Sequence, residues 1–171
     1  MKFIIPLLFV SFLSSQTYEI KGAQIKYYGS HFLHDWIGVS NDLNGNVFID
    51  KNNSKYQVDL NVPLISFSSN NSSRDSNMLI HTEAFSYPEV IFKSTNIVLN
   101  QNLAMVEGDL LFHGITKKIK TSATIDIANG FVANGSFIIN LKDFNIETPT
   151  LMLIKIDESI KIEYTIKKLK Q

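Results

Sequence analysis

Apolar and polar residues alternate with a period of two along most of the chain beyond residue 17. In "IDESIKIEYTIKK", Ile156 to Lys168, the apolar Ile156, Ile160, Ile162, Tyr164 and Ile166 share one parity. Asp157, Ser159, Lys161, Glu163, Thr165 and Lys167 share the other. Successive strand side chains point to opposite faces, so this spacing predicts a strand with one wet face. The same holds for "YQVDLNV", where Val58, Leu60 and Val62 oppose Gln57, Asp59 and Asn61. It holds again for "IKTSATIDI", with Ile119, Ala123, Ile125 and Ile127 on the apolar side, and for "FVANGSFIIN", with Phe131, Phe137 and Ile139. Turn formers separate the runs at Asn44-Gly45, Lys51 to Ser54, Asn100 to Asn102 and Asn129-Gly130. Asn-Gly suits a two-residue hairpin, because a type I′ turn needs positive φ at both central residues. Many antiparallel strands, each with one apolar face, must stack as two sheets or close into a barrel, and periodicity alone leaves both open.

Two segments depart from this pattern. "SSNNSSRDSNMLIHTEAFSYPEV" is polar, then briefly apolar without alternation, then stopped at Pro88. It predicts a long loop holding a short helix near Asp75 to His81, with Asp75 as N-cap, placed like a lid over one end of a barrel. "MKFIIPLLFVSFLSSQT" opens the chain with a positive Lys2, an apolar run from Phe3 to Leu13, and the small Ser14 and Ser15. This reads as a secretory signal peptide over residues 1–15, followed by one domain over 16–171. The apolar run falls short of the roughly 20 residues a membrane-spanning helix needs, so integral membrane insertion is not expected.

Composition narrows the function. The chain has no cysteine, which excludes disulfides, thiolate metal sites, a cysteine nucleophile and the lipidated cysteine of a lipoprotein. Lys and Arg number 16, as do Asp and Glu, and such a balanced surface argues against electrostatic binding to nucleic acid or to anionic membrane surfaces, which demand clustered positive charge. The basic "KKLKQ" run near the C-terminus reads as a solvated chain end. Pairing into a homodimer stays open.

The four histidines, His31, His34, His81 and His113, raise the question of a metal site. No HExxH or comparable spacing is present, and residues three apart on a strand, such as His31 and His34, would face opposite ways. No metal and no cofactor is expected. His113 stands beside Gly114, where a turn histidine bonded to a backbone carbonyl is the ordinary arrangement. The serines cluster in polar loops without a GxSxG elbow. "SHFLHDW" is the stronger candidate, because a histidine, an aspartate and the single tryptophan stand together there. His34 and Trp36 could form the polar mouth of a pocket, since indole is apolar in body and polar at one edge. Arg74 could orient a headgroup there or, with Asp75, pin the helical insert.

Several motifs in order resemble the YceI-like, lipocalin-like family of exported bacterial proteins. They are "IKYYGSHFLHDWIGVSNDLNG", the Arg74-Asp75 pair, "YPEVIFKS" from Tyr87 to Ser94, and "GDLLFHGITK" from Gly108 to Lys117. The resemblance spans Tyr18 to Lys168. It implies a closed antiparallel barrel of about eight strands with a short helical insert, and an elongated apolar interior that takes a long-chain isoprenoid lipid of the polyisoprenoid or quinone type. Two departures touch the site: either His31 or His34 could be the family-like histidine, and the spacing from Arg74-Asp75 to Phe85 is shifted. On the residues alone, inward parity describes a dry core and a ligand lining equally. With the resemblance, Val58, Leu60, Val62, Phe92, Phe112, Ile125, Phe137, Ile162 and Tyr164 become the expected wall of a binding cavity, with His34, Trp36 and Arg74 at its mouth. A carrier that binds and does not convert its ligand is the preferred reading. The alternatives are a hydrolase or isomerase using His34 and Asp35 on a hydrophobic substrate, and a structural β-domain with a packed interior.

The exported, periplasmic form is expected to begin near Gln16 and to stay soluble. Amino-terminal sequencing of the protein from its own host checks this; a sequence starting at Met1, or recovery only in membrane pellets, would refute it.

Overall fold

A computed structural model describes residues 15–128, 130–151 and 153–169. The segment read as a signal peptide falls outside these residues up to position 14, as does Asn129 of the expected Asn129-Gly130 hairpin. Eight strands close into a barrel: β1 (Gln16–His31), β2 (His34–Asp50), β3 (Lys55–Pro63), β4 (Glu89–Asn100), β5 (Leu103–Phe112), β6 (Ile115–Asp126), β7 (Gly130–Asn140) and β10 (Ser159–Leu169). Each pairs antiparallel with its neighbour, and β1 joins β10 through pairs such as Gln24 with Thr165 and Tyr28 with Lys161. The two-stranded β8 (Thr150–Leu151) and β9 (Ile154–Lys155) lie in the connection between β7 and β10. The expected closed barrel of eight antiparallel strands with one short helix is thus observed, and the two-sheet alternative falls away.

The two ends of the barrel are unequal. At one end the connections are short: 51–54, 101–102 and the link from Asp126 to Gly130. At the other lie the β1–β2 turn, the insert between β3 and β4, the His113-Gly114 turn and the long return to β10. The insert carries α1 (Ser72–His81), and its N-cap is Asn71, whose side chain accepts the Arg74 backbone N–H at 3.0 Å. Asp75, expected as the cap, sits within the first turn. Its carboxylate accepts from the Ser69 backbone N–H at 2.9 Å and from the Ser69 hydroxyl at 2.5 Å, tying the loop before the helix to the helix itself. A carboxylate is favourable anywhere in the first turn, which is why sequence alone misplaced the cap by one turn.

Asn44-Gly45 is not a turn. Both residues lie inside β2, and the strand continues past them with Asn46 paired to Asp59 and Val47 to Val58. Gly45 does take a positive φ, +142°, but it serves a close approach: a Cβ there would stand 2.0 Å from the Asp59 carbonyl oxygen. Asn44 accepts the Gly22 backbone N–H at 3.0 Å, at a bulge that shifts the β1–β2 register between Ile20 and Ala23. Bulges bend a strand and increase its twist, which strands of this length need in order to wrap a small barrel. The β5–β6 turn, by contrast, has the expected two-residue geometry, with φ of +50° at His113 and +71° at Gly114. Strand β10 begins at Ser159, three residues after the alternation does.

Gly45→Ala is expected to lower stability by about 1–3 kcal/mol, because a Cβ must displace backbone that side-chain motion cannot relieve. Urea unfolding followed by circular dichroism checks it; an unchanged midpoint would show that the β2–β3 backbone yields freely.

Candidate functional site: an apolar cavity with one polar mouth

Apolar residues on the inner wall fall into two groups. Near the end with the short connections, Ile20, Val47, Phe131 and Ile166 are buried together, and the Tyr18 and Phe131 rings pack at 5.3 Å. This plugs the barrel. Toward the insert end, Leu110, Phe112, Ile139 and Ile160 meet Leu64 and, from the return connection, Phe144 and Ile146, with Met78 and Leu79 of α1 packed against them. Between the plug and this cap a cavity of about 500 Å³ runs along the barrel, within the roughly 300–1,000 Å³ usual for small-molecule sites.

Small inner residues keep that space open. Ala123, Ala133 and Gly29 line it, and large rings lie flat over glycines on the neighbouring strand. A Cβ on Gly29 would stand 2.3 Å from Trp36, on Gly38 2.0 Å from Tyr27, on Gly108 2.4 Å from Phe92, and on Gly135 2.2 Å from the Tyr164 hydroxyl. Each ring therefore lies along the wall instead of crossing the lumen. An eight-stranded barrel with ordinary side chains at these positions would fill itself.

All twelve residues expected at the site stand on the cavity lining. Val58, Leu60 and Val62 come from β3, Phe92 from β4 and Phe112 from β5. Ile125 comes from β6, Phe137 from β7, and Ile162 and Tyr164 from β10. Burial holds the Tyr27 and Tyr164 phenols above their usual pKa. Thr121 interrupts the apolar face of β6, and its hydroxyl donates to the Ser136 carbonyl at 3.0 Å, so it is satisfied within the wall.

The cavity opens at the insert end. Its exposed lining residues, His34, Asn71, Asn77, Glu147 and Thr150, all belong to connections there or to the first residue of β2. Trp36 and Arg74 stand beside them, with the Arg74 guanidinium carbon 5.1 Å from the centre of the Trp36 ring. Such a cation–π contact stabilises by about 0.5–1 kcal/mol at an exposed site, and here it fastens the helix to the β1–β2 hairpin. Thr148 also lines the cavity; it is 7% exposed and its hydroxyl has no partner.

His31 and His34 do not point to opposite faces. A two-residue turn separates them, so they are cross-strand partners and both reach the cavity. Their roles differ. His31 is 4% exposed; its Nε2–H donates to the Ile154 carbonyl at 3.3 Å and its Nδ1 accepts the Leu33 backbone N–H at 3.4 Å. His34 is exposed, with its ring 5.7 Å from that of Trp36. Asp35 is not its partner: the carboxylate accepts from the Ser30 hydroxyl at 2.5 Å and is absent from the cavity lining. The arrangement that would favour a His34–Asp35 enzyme, both buried and bonded to each other over the cavity, is not what the geometry provides.

His113 is structural. Its Nδ1–H donates to the Phe144 carbonyl at 2.8 Å, its ring meets Tyr87 edge-on at 4.9 Å, and its Nε2 is 3.5 Å from the Glu83 carboxylate, a contact without a hydrogen bond. The turn histidine thus clamps both the insert and the return connection.

Sequence reasoning missed Tyr27, Asn77, His81 and Thr148. The "YY" in β1 follows no simple alternation, and "NIETPTLMLIKID" has no period at all.

A family model described as a YceI-like domain matches residues 18–168. A UPF0312 protein of Yersinia pestis (strain Pestoides F) is 30% identical over 143 residues, covering 76% of this chain and 73% of that protein. The crystal structure of Burkholderia cenocepacia BcnA superposes with a TM-score of 0.75 at 16% identity, over 84% of this chain and 94% of that one. A polyisoprenoid-binding domain from Saccharophagus degradans, described as implicated in plant cell wall breakdown, superposes with a TM-score of 0.66 at 12% identity, over 88% and 95%. At these identities the two structures share the fold.

Phe137→Asp is expected to keep a β-type far-UV spectrum while losing uptake of a fluorescent prenyl alcohol. A carboxylate placed on the lining can stay hydrated in an open cavity, whereas in a dry core it would cost several kcal/mol and unfold the barrel. A collapsed, insoluble variant would count against an open lumen.

Proposed function

The chain belongs to the YceI-like domain family, and from that premise we propose that it is a binding protein enclosing an apolar lipid, of the polyisoprenoid or isoprenoid-quinone type, for transport or storage in the periplasm. The observation that carries this reading is the shape of the lining: apolar wall from the plug upward, with the exposed polar groups gathered at one mouth. A long-chain amphiphile fits that gradient, tail inside and head at His34, Trp36 and Arg74. Apolar area removed from water supplies about 25 cal/mol per Å² and needs no polar partner along the wall. The fold shared with the polyisoprenoid-binding domain supports the same ligand class. Binding without conversion agrees with the separation of His34 from Asp35.

The test is native mass spectrometry of the protein purified from its own host, where a co-purifying prenyl lipid is expected. His34→Ala should still hold the lipid about two- to tenfold more weakly, since a headgroup contact at a solvated mouth contributes about 0.5–1.5 kcal/mol. The lipid should be returned chemically unchanged after long incubation. Turnover by the wild type that His34→Ala abolishes, with binding intact, would replace this reading with an enzyme.

A further inference from the structure

Two apolar turn apexes flank the cavity mouth and take no part in its lining. Phe32 and Leu33 form the tip between β1 and β2, 62% and 50% exposed. Leu153 and Ile154, at the tip and start of β9, are 97% and 44% exposed. The two tips are fastened side by side: His31 Nε2–H donates to the Ile154 carbonyl, and the Asp157 backbone N–H donates to the Ser30 carbonyl at 3.0 Å. A buried histidine thus helps join two tips that carry four exposed apolar side chains into one projection next to the opening that His34 and Thr150 line.

We infer that this projection docks the open end of the barrel onto a lipid bilayer, so that ligand passes between membrane and cavity without crossing water. The inference rests on the reading of the cavity as a lipid site. Each methylene exposed to water on release slows an aqueous route by about fourfold, so a long chain leaves at a useful rate only if the mouth meets another apolar phase. The apexes supply that meeting: turns are the outermost parts of the strands they join, and these carry Phe, Leu and Ile where turns ordinarily carry polar residues. Four side chains without a polybasic run make the contact weak, reversible and insensitive to salt.

The test compares the wild type with Phe32→Glu/Leu153→Glu in two assays with a fluorescent prenyl alcohol. One measures equilibrium binding of the dispersed probe. The other measures probe transfer from vesicles of phosphatidylethanolamine and phosphatidylglycerol in equal parts. The double variant should bind the dispersed probe like the wild type, yet collect it from vesicles about tenfold or more slowly, since burying one Phe or Leu is worth a decade or more. Wild-type transfer should rise with vesicle concentration and hold at high salt, and Phe32→Trp should preserve it. Equal transfer rates independent of vesicle concentration, or a wild-type dimer that the variant dissociates in light scattering, would overturn docking while leaving the cavity reading intact. A wild type that binds no dispersed probe would overturn the cavity reading itself, and docking with it.

Discussion

Closure of β1 against β10 is the constraint from which the rest follows. Where the sheet meets itself, over Gln24–Tyr28 of β1 and Lys161–Thr165 of β10, backbone donors and acceptors are paired between the first and last strands, and the open edges of a flat sheet are avoided. The interior is then furnished by side chains alone. Every inner position can be apolar without leaving a peptide group unsatisfied, and the enclosed volume is set by residue size at those positions.

Size is where this wall is unusual. A barrel of this strand number is just wide enough either to fill with side chains or to hold one ligand, and here glycines at 29, 38, 108 and 135 lie under the rings of Trp36, Tyr27, Phe92 and Tyr164. The flat rings keep their burial against backbone while withdrawing from the axis. At one end Phe131 with Tyr18 closes the tube. At the other, α1 and the return connection cover part of the rim and are held by the His113 clamp and by Arg74 over Trp36. Wall, plug and partial cap together turn an alternating sequence into a cavity that, among the described residues, opens at the insert end.

Most of this was legible in the chain because strand alternation is a strictly local signal. The inner faces of β3, β6, β7 and β10 follow directly from parity. What escaped depends on contacts between distant segments. Gly45 looked like a turn because Asn-Gly usually is one, and only the approach of Asp59 from β3 explains its positive φ. His31 and His34 looked opposed because a count of three assumes a continuous strand, whereas the chain reverses between them. Thr148 sits in a segment whose shape is dictated by where β7 ends and β10 begins, and no periodicity marks it. That the interior is open could not be read from parity, since a lumen and a core present the same apolar face; the family resemblance supplied that distinction.

The inequality of the two ends has a geometric corollary. Strand β1 starts, and β10 finishes, at the plugged end, while the mouth lies at the other. Gln16 and Leu169 are therefore both on the side of the barrel opposite the opening. A tether, a fused neighbour or an immobilising surface attached there would hold the molecule by its base, like a cup on a shelf, with the rim facing outward.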